Sequence, residues 1–329
     1  GRVGNPTRTA YEECVSALEG GTRSIAFASG LAAAASLLDT LEAGSHMIAM
    51  EDLYGGMHRL FRDIRAHSAN LETSFIDLSA PGALEAAIDD ETVAFLVEPI
   101  QGEGGVIVPP AGYLQEVRRI CTEHNVLFIA DEIITGYGRT GHHFAMERWD
   151  VTADIIAFGK GASSGYAPLG GIIMHDRIAE AFIHHQAYFA HVFTYVNNPM
   201  AARVGLEVLD IMAEEDTVAQ ARDTGAYALT RALALKDHDC VGDVRGTGLL
   251  VGVELRPAEG ETFSPEQQVA QRAGRLCLDR GLSVAAVTAT DWGGGDDVRF
   301  YPPLTITRTE VDEAFDIIDD ALTQLQAEL

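Results

Sequence analysis

Short apolar runs alternate with longer segments whose apolar positions recur at three- and four-residue spacings. The runs SIAFAS (24–29), HMIAM (46–50), LETSFID (71–77), TVAFLVEP (92–99), VLFIADE (126–132), DIIAFG (154–159) and LGGIIM (169–174) predict strands. Between them, GLAAAASLLDTLEAG, GGMHRLFRDIRAHS, PGALEAAI and AGYLQEVRRICTEHN predict helices. Near-continuous apolar strands separated by helices predict a mostly parallel sheet covered on both faces, the doubly wound α/β class.

From Asn198 the texture changes. PMAARVGLEVLDIMAEED reads as one long helix, followed by a helix over 217–236, a strand GLLVGVEL and a helix over 265–280. Short strands near 282–287 and 297–301 precede a final helix, TRTEVDEAFDIIDDALTQLQ, and the GGGDD run at 293–297 reads as a loop. The expected organisation is a large α/β domain over 1–205 and a smaller α+β domain over 206–329.

Charge and cysteine usage narrow the function classes. With 23 Lys and Arg against 49 Asp and Glu, the net charge of −26 points away from nucleic acid and anionic membranes, which require a basic face. No apolar stretch approaches the roughly 20 residues of a membrane span. Cys14, Cys121, Cys240 and Cys277 form no CxxC pair, which argues against structural zinc or a disulfide framework and for a reducing cytoplasm. The pairs His142-His143 and His184-His185 lack a second cluster to complete a site, so no metal is expected.

Only two lysines occur, Lys160 and Lys236, and Lys160 stands where an apolar run breaks into GKGASSGYAPLGG. A solubilising lysine belongs on an exposed helix face; a reactive one belongs at a strand end beside a cavity, where desolvation favours the neutral amine. Asp131 closes the preceding apolar strand, 29 residues earlier, and a carboxylate there requires a cation. In an open parallel sheet ligands bind beyond the carboxyl ends of the strands. Ser29-Gly30-Leu31 lies at another such end, and its backbone N–H groups would form either a phosphate cradle or an ordinary turn. A lysine for an imine, an aspartate for a pyridine nitrogen and a phosphate cradle are the demands of pyridoxal phosphate; the competing reading is a buried Asp–Lys ion pair.

VEPIQGEGGVIVPPAGYL, ADEIITGYGRTG, DIIAFGKGASSGYAPLGG, FTYVNNPMAA, DVRGTGLLVGVEL and VRFYPPLTIT occur in order over about residues 95–329. This part of the chain resembles a class III (omega-type) aminotransferase of the fold-type-I pyridoxal-phosphate superfamily. The resemblance implies that Lys160 is the Schiff-base lysine, that Asp131 holds the pyridine nitrogen and that Ile133 packs under the ring. It further implies that Thr194 reaches the phosphate of a partner subunit, that Arg299 binds a substrate carboxylate and that Glu103 pairs with Arg299 when none is present. Ile134 stands where many members carry a glutamine near the cofactor's phenolic oxygen.

Residues 1–95 read differently. GRVGNPTRTAYEECVSALEGG, AFASGLAAAASLL and EDLYGGMHRLF resemble the cystathionine gamma-synthase family, also of fold type I. There Ser29, Gly30 and Leu31 would cradle the phosphate, Tyr54 would stack on the ring or serve as a core aromatic, and Arg2 would reach a neighbouring subunit's phosphate. The chain is therefore expected to be a hybrid joined near the strand at 92–99, working as a homodimer with shared active sites. The expected reaction moves an amino group from an amino acid or omega-amine to a keto acid such as pyruvate or 2-oxoglutarate. The alternatives are elimination or replacement on a sulfur amino acid, or a hybrid that binds cofactor without turnover.

Overall fold

The computed structural model describes residues 4–187, 189, 195–196, 198–257, 262–288 and 295–329. The chain divides into two compact units, and the division is discontinuous. The first comprises Gly1–Pro99, Pro109–Tyr137 and His143–Asp216; the second comprises Ile100–Val108, Gly138–His142 and Thr217–Leu329. The expected boundary at 205/206 falls inside the helix Pro199–Glu214, all of which belongs to the first unit. Asn198 caps that helix by accepting the Met200 N–H at 3.1 Å, and Pro199 occupies the first position, where no N–H is needed.

The first unit is built on a seven-stranded sheet of β1 (Arg23–Phe27), β2 (His46–Met50), β3 (Glu72–Ile76), β4 (Thr92–Val97), β5 (Leu127–Asp131), β6 (Ile155–Phe158) and β7 (Gly170–Met174), in the order β1-β7-β6-β5-β4-β2-β3. Pairing is parallel from β3 through β6, whereas β7 runs antiparallel to both β6 and β1. Each predicted strand is present: β2 keeps its predicted ends, β1 starts one residue earlier and ends two sooner, and the others are shortened by a residue or two. The interior strands β2, β6 and β7 are buried along their whole length, which is why they read as unbroken apolar runs. The Ala-rich helix Gly30–Leu38 buries Ala33 and Ala34, and its Ala33, Ala34 and Leu38 join Phe27, Ile129, Ile155 and Ile172 in one apolar core.

The second unit carries an antiparallel sheet of β8 (Val241–Thr247), β9 (Leu250–Leu255), β10 (Ala285–Val287) and β11 (Asp296–Phe300), in the order β10-β11-β9-β8. Val251, Val253, Val298 and Phe300 pack with Phe315, Ile318 and Leu322 of the helix Arg308–Glu328. That helix opens with a reciprocal cap between Thr307 and Glu310. Residues 293 and 294 of the predicted GGGDD loop lie outside the described residues, but Asp296 and Asp297 are the first residues of β11, 4% and 0% exposed. Two adjacent carboxylates look solvent-bound in sequence, but Arg299 supplies the counter-charge that permits burial of Asp297, and Asp296 Oδ1 accepts the Ala270 N–H at 3.3 Å. No helix among the described residues is long and apolar enough to cross a membrane.

Candidate active site

The topology of the first sheet determines which loops meet. β1, β5 and β6 point the same way, and β7 is reversed, so its start lies level with their carboxyl ends. Register places Phe27 opposite Gly170, Phe158 opposite Gly171 and Ala157 opposite Asp131. Ser29-Gly30, Lys160 and Asp131 thus leave one edge of one sheet, as ligand-binding loops of such sheets do.

Close packing holds that edge together. Ser29 is the N-cap of Gly30–Leu38, and its Oγ accepts the Ala32 N–H at 3.1 Å. A Cβ on Gly30 would lie 2.3 Å from Ile133 Cδ1, and one on Gly170 would lie 2.5 Å from the Gly30 nitrogen. Glycine at these positions lets the turn after β1, the start of β7 and Ile133 close on one another. Leu31 follows in the first turn of the helix and is partly exposed.

Asp131 is fully buried, and its Oδ1 accepts the Ile133 N–H at 3.1 Å. Burial pushes its pKa up to about 6, while that N–H and the charge of Lys160 pull it down. Lys160 is exposed and holds φ +38°, a left-handed conformation that costs a side-chain-bearing residue on the order of 1 kcal/mol. Its Nζ sits 5.6 Å from the centroid of the Tyr54 ring. That ring lies against Gly56, where a Cβ would come within 2.4 Å of it. The Tyr54 N–H donates to Glu98 Oε1 at 3.2 Å.

Glu98 is a residue that sequence reasoning missed; it is 5% exposed at the end of β4, and an acid closing an apolar strand was the available signal. Glu132 adjoins Asp131 but plays another part. Its carboxylate accepts the Thr135 hydroxyl at 2.6 Å and the Ala145 and Met146 N–H groups at 2.8 Å each, tying down the following loop. Burial nevertheless lifts its pKa to about 7.

The second unit contains a separate charged constellation. Arg299 Nη1 donates to Glu103 Oε2 at 3.0 Å, and Nη2 donates to the Glu103 carbonyl. Asp297 takes the remaining side of the guanidinium, accepting from Nε and, at 3.0 Å, from Nη2. Burial works against the charge of Arg299, but the Asp297 contacts outweigh it and hold the pKa above the usual arginine value. Asp297 was missed as a partner, although two-residue spacing in a strand puts both side chains on one face. Arg2 and Thr194 lie outside the described residues, so their predicted phosphate contacts have no structural description here.

The aminotransferase class-III family model matches residues 39–322. An ornithine aminotransferase of Exiguobacterium sp. is 38% identical over 240 residues, covering 73% of this chain and 54% of the relative. A diaminobutyrate–2-oxoglutarate transaminase of Halomonas elongata is 37% identical over 248 residues, covering 71% and 52%. The chain therefore spans about half the length of these curated relatives. Among solved structures, a transaminase from the marine bacterium Virgibacillus superposes with TM-score 0.87 at 29% identity, covering 99% of this chain and 80% of the other. Ornithine delta-aminotransferase of Plasmodium falciparum gives TM-score 0.83 at 27% identity, covering 99% and 80%. These structures place the fold among the fold-type-I transaminases. The family match runs through β4, where a junction between two families was expected, and the resemblance of residues 1–95 to the cystathionine gamma-synthase family finds no support in these matches. On this match, which covers most of its length, the chain belongs to the class-III aminotransferase family.

Proposed function

We propose that the chain is a pyridoxal-phosphate-dependent aminotransferase transferring an amino group from an amino acid or omega-amine to a keto acid such as pyruvate or 2-oxoglutarate. The observation that carries this reading is the pair Lys160 and Asp131, an amine and an under-neutralised buried carboxylate at the ends of adjacent strands. The residues present fit the cofactor. Asp131 suits a protonated ring nitrogen, Lys160 suits an aldehyde, and the N–H groups of Gly30 and Leu31 with the Ser29 hydroxyl suit a phosphate at the start of a nine-residue helix. Tyr54 and Ile133 would take the two faces of the ring.

Pyridoxal phosphate, when bound, supplies an electron sink and a carbonyl that accepts an amino group. Lys160 would anchor it covalently and, once freed, move a proton at the substrate's amine-bearing carbon. Asp131 would keep the ring nitrogen protonated. Arg299 would bind a substrate carboxylate and Glu103 would pair with it in the absence of one, a reading that their ion pair supports. The names of relatives acting on ornithine, diaminobutyrate and putrescine support an amine donor. The proposed assembly is a homodimer, with Arg2 and Thr194 reaching a neighbour's phosphate.

The test is the absorption spectrum of the protein with pyridoxal phosphate, before and after alanine or beta-alanine. A visible band that is absent in Lys160→Ala and bleaches with donor is expected. A band that forms but never bleaches would refute amino transfer.

A further inference from the structure

Arg299 has one partner more than a reversible carboxylate switch requires. Of its five N–H groups, Nε–H and one on Nη2 go to Asp297, and the other on Nη2 goes to the Glu103 carbonyl. Only Nη1 faces the Glu103 carboxylate. The two acids also differ in burial: the side chain of Asp297 is 1% exposed, that of Glu103 39%. Glu103 can swing into water; Asp297 cannot leave without stranding a buried charge.

The loop bearing Glu103 is pinned through its backbone. Tyr301 Oη donates to the Gly102 carbonyl at 2.8 Å, Arg299 holds that of Glu103, and Arg245 Nε donates to that of Gly105 at 2.9 Å. Gly105 has φ +100°, and a Cβ there would lie 3.1 Å from Asp297 Oδ2. With the backbone fixed, withdrawal of Glu103 is a side-chain rotation, and Nη2 stays engaged.

We propose that Asp297 is a positioning residue that restricts Arg299 to end-on capture of a substrate carboxylate through Nη1, and so biases the enzyme toward amino donors lacking a carboxylate at that position. This rests on the reading of Arg299 as the carboxylate site. A carboxylate normally meets arginine through two parallel N–H···O bonds on one edge of the guanidinium. Here Asp297 occupies the Nε/Nη2 edge, and the Glu103 carbonyl takes half of the Nη1/Nη2 edge. The side-on pairing is closed to a ligand, and Asp297 cancels the positive charge that would attract it.

The experiment is calorimetric titration of the pyridoxal-phosphate-loaded protein with glutarate, which carries carboxylates but no amine or carbonyl to react. Glutaramide serves as the uncharged control. Asp297→Asn keeps the side chain's size and removes its charge. Its Kd for glutarate should fall by roughly tenfold, the order of one charge-assisted contact, with glutaramide binding unchanged. Unchanged or weaker glutarate binding by a folded Asp297→Asn protein overturns the proposal while leaving Arg299 as the carboxylate site. Wild-type glutarate binding that Arg299→Gln leaves intact overturns both. If the variant does not fold, a crystal structure of the wild type with glutarate decides: contact through Nη1 supports the proposal, and a bidentate contact on the Nε/Nη2 edge refutes it.

Discussion

Asp131 and Arg299 are both buried charges on sheet strands, and they are neutralised in opposite ways. Asp131 has one backbone N–H and a lysine whose exposed amine makes no close ion pair with it, and burial drives its pKa up. Arg299 has two carboxylates and a carbonyl, and its charge is held firmly. A buried charge left short of partners is a place where a ligand's charge can be stabilising; a charge given a surplus is one whose response to ligands has been damped. Burial thus leaves Asp131 short of neutralising partners, whereas Arg299 meets Asp297, the Glu103 carboxylate and the Glu103 carbonyl at once.

Four substitutions sharpen that contrast, in descending order of effect. Lys160→Ala should lower amino transfer at least about a thousandfold, because one amine serves as both anchor and proton carrier; steady-state turnover with a saturating donor measures it. Arg299→Ala strands Asp297 in the core and should lower unfolding stability by about 3–5 kcal/mol in urea titrations, and adding Asp297→Asn should recover much of that loss.

Asp131→Asn breaks the contrast from the other side. The folded protein holds the Asp131 proton up to about pH 6, against an ordinary aspartate value of 3.8, so it binds more protons than the unfolded chain in that window. Stability of the cofactor-free protein then falls as pH rises from about 4 to about 6. Asp131→Asn should remove this slope and stabilise the cofactor-free protein at pH 7 by roughly 2–3 kcal/mol, while weakening its hold on pyridoxal phosphate. Paired denaturant curves at pH 4.5 and 7 check the first part and cofactor titration the second. Last, Arg231 meets Asp312 and Asp316 at the solvent-facing side of the second unit. Arg231→Gln should cost no more than about 1 kcal/mol, since exposed ion pairs contribute little; a larger fall in melting temperature would show that location is a poor guide to charge in this protein.

The sheet of the first unit was legible because its strands are buried on both faces and so write continuous apolar runs into the sequence. β8 was not, because VGDVRGT mixes half-buried and charged positions: Asp243 and Arg245 belong to the ionic network beside Glu254. Nor was the assignment of Ile100–Val108 and Gly138–His142 to the second unit, since contacts between residues far apart in sequence leave no local periodicity. At the site, Lys160 and Asp131 stood out because each violates its surroundings, a cation and an anion ending apolar strands. Asp297 was hidden by its neighbours: after three glycines and another aspartate it resembled a solvated loop, and only the position of Arg299 two residues on reveals a buried pair. Glu132 is the same kind of buried acid one residue beyond Asp131, but the Thr135 hydroxyl and the Ala145 and Met146 N–H groups claim its carboxylate.

The most direct test of the central claim is covalent. The protein is incubated with pyridoxal phosphate, reduced with borohydride, digested and mapped by mass spectrometry. The added mass should fall on the peptide carrying Lys160 and vanish in Lys160→Ala. Modification of Lys236 instead, or none at all under conditions where the cofactor's visible band forms, would contradict the assignment of Lys160.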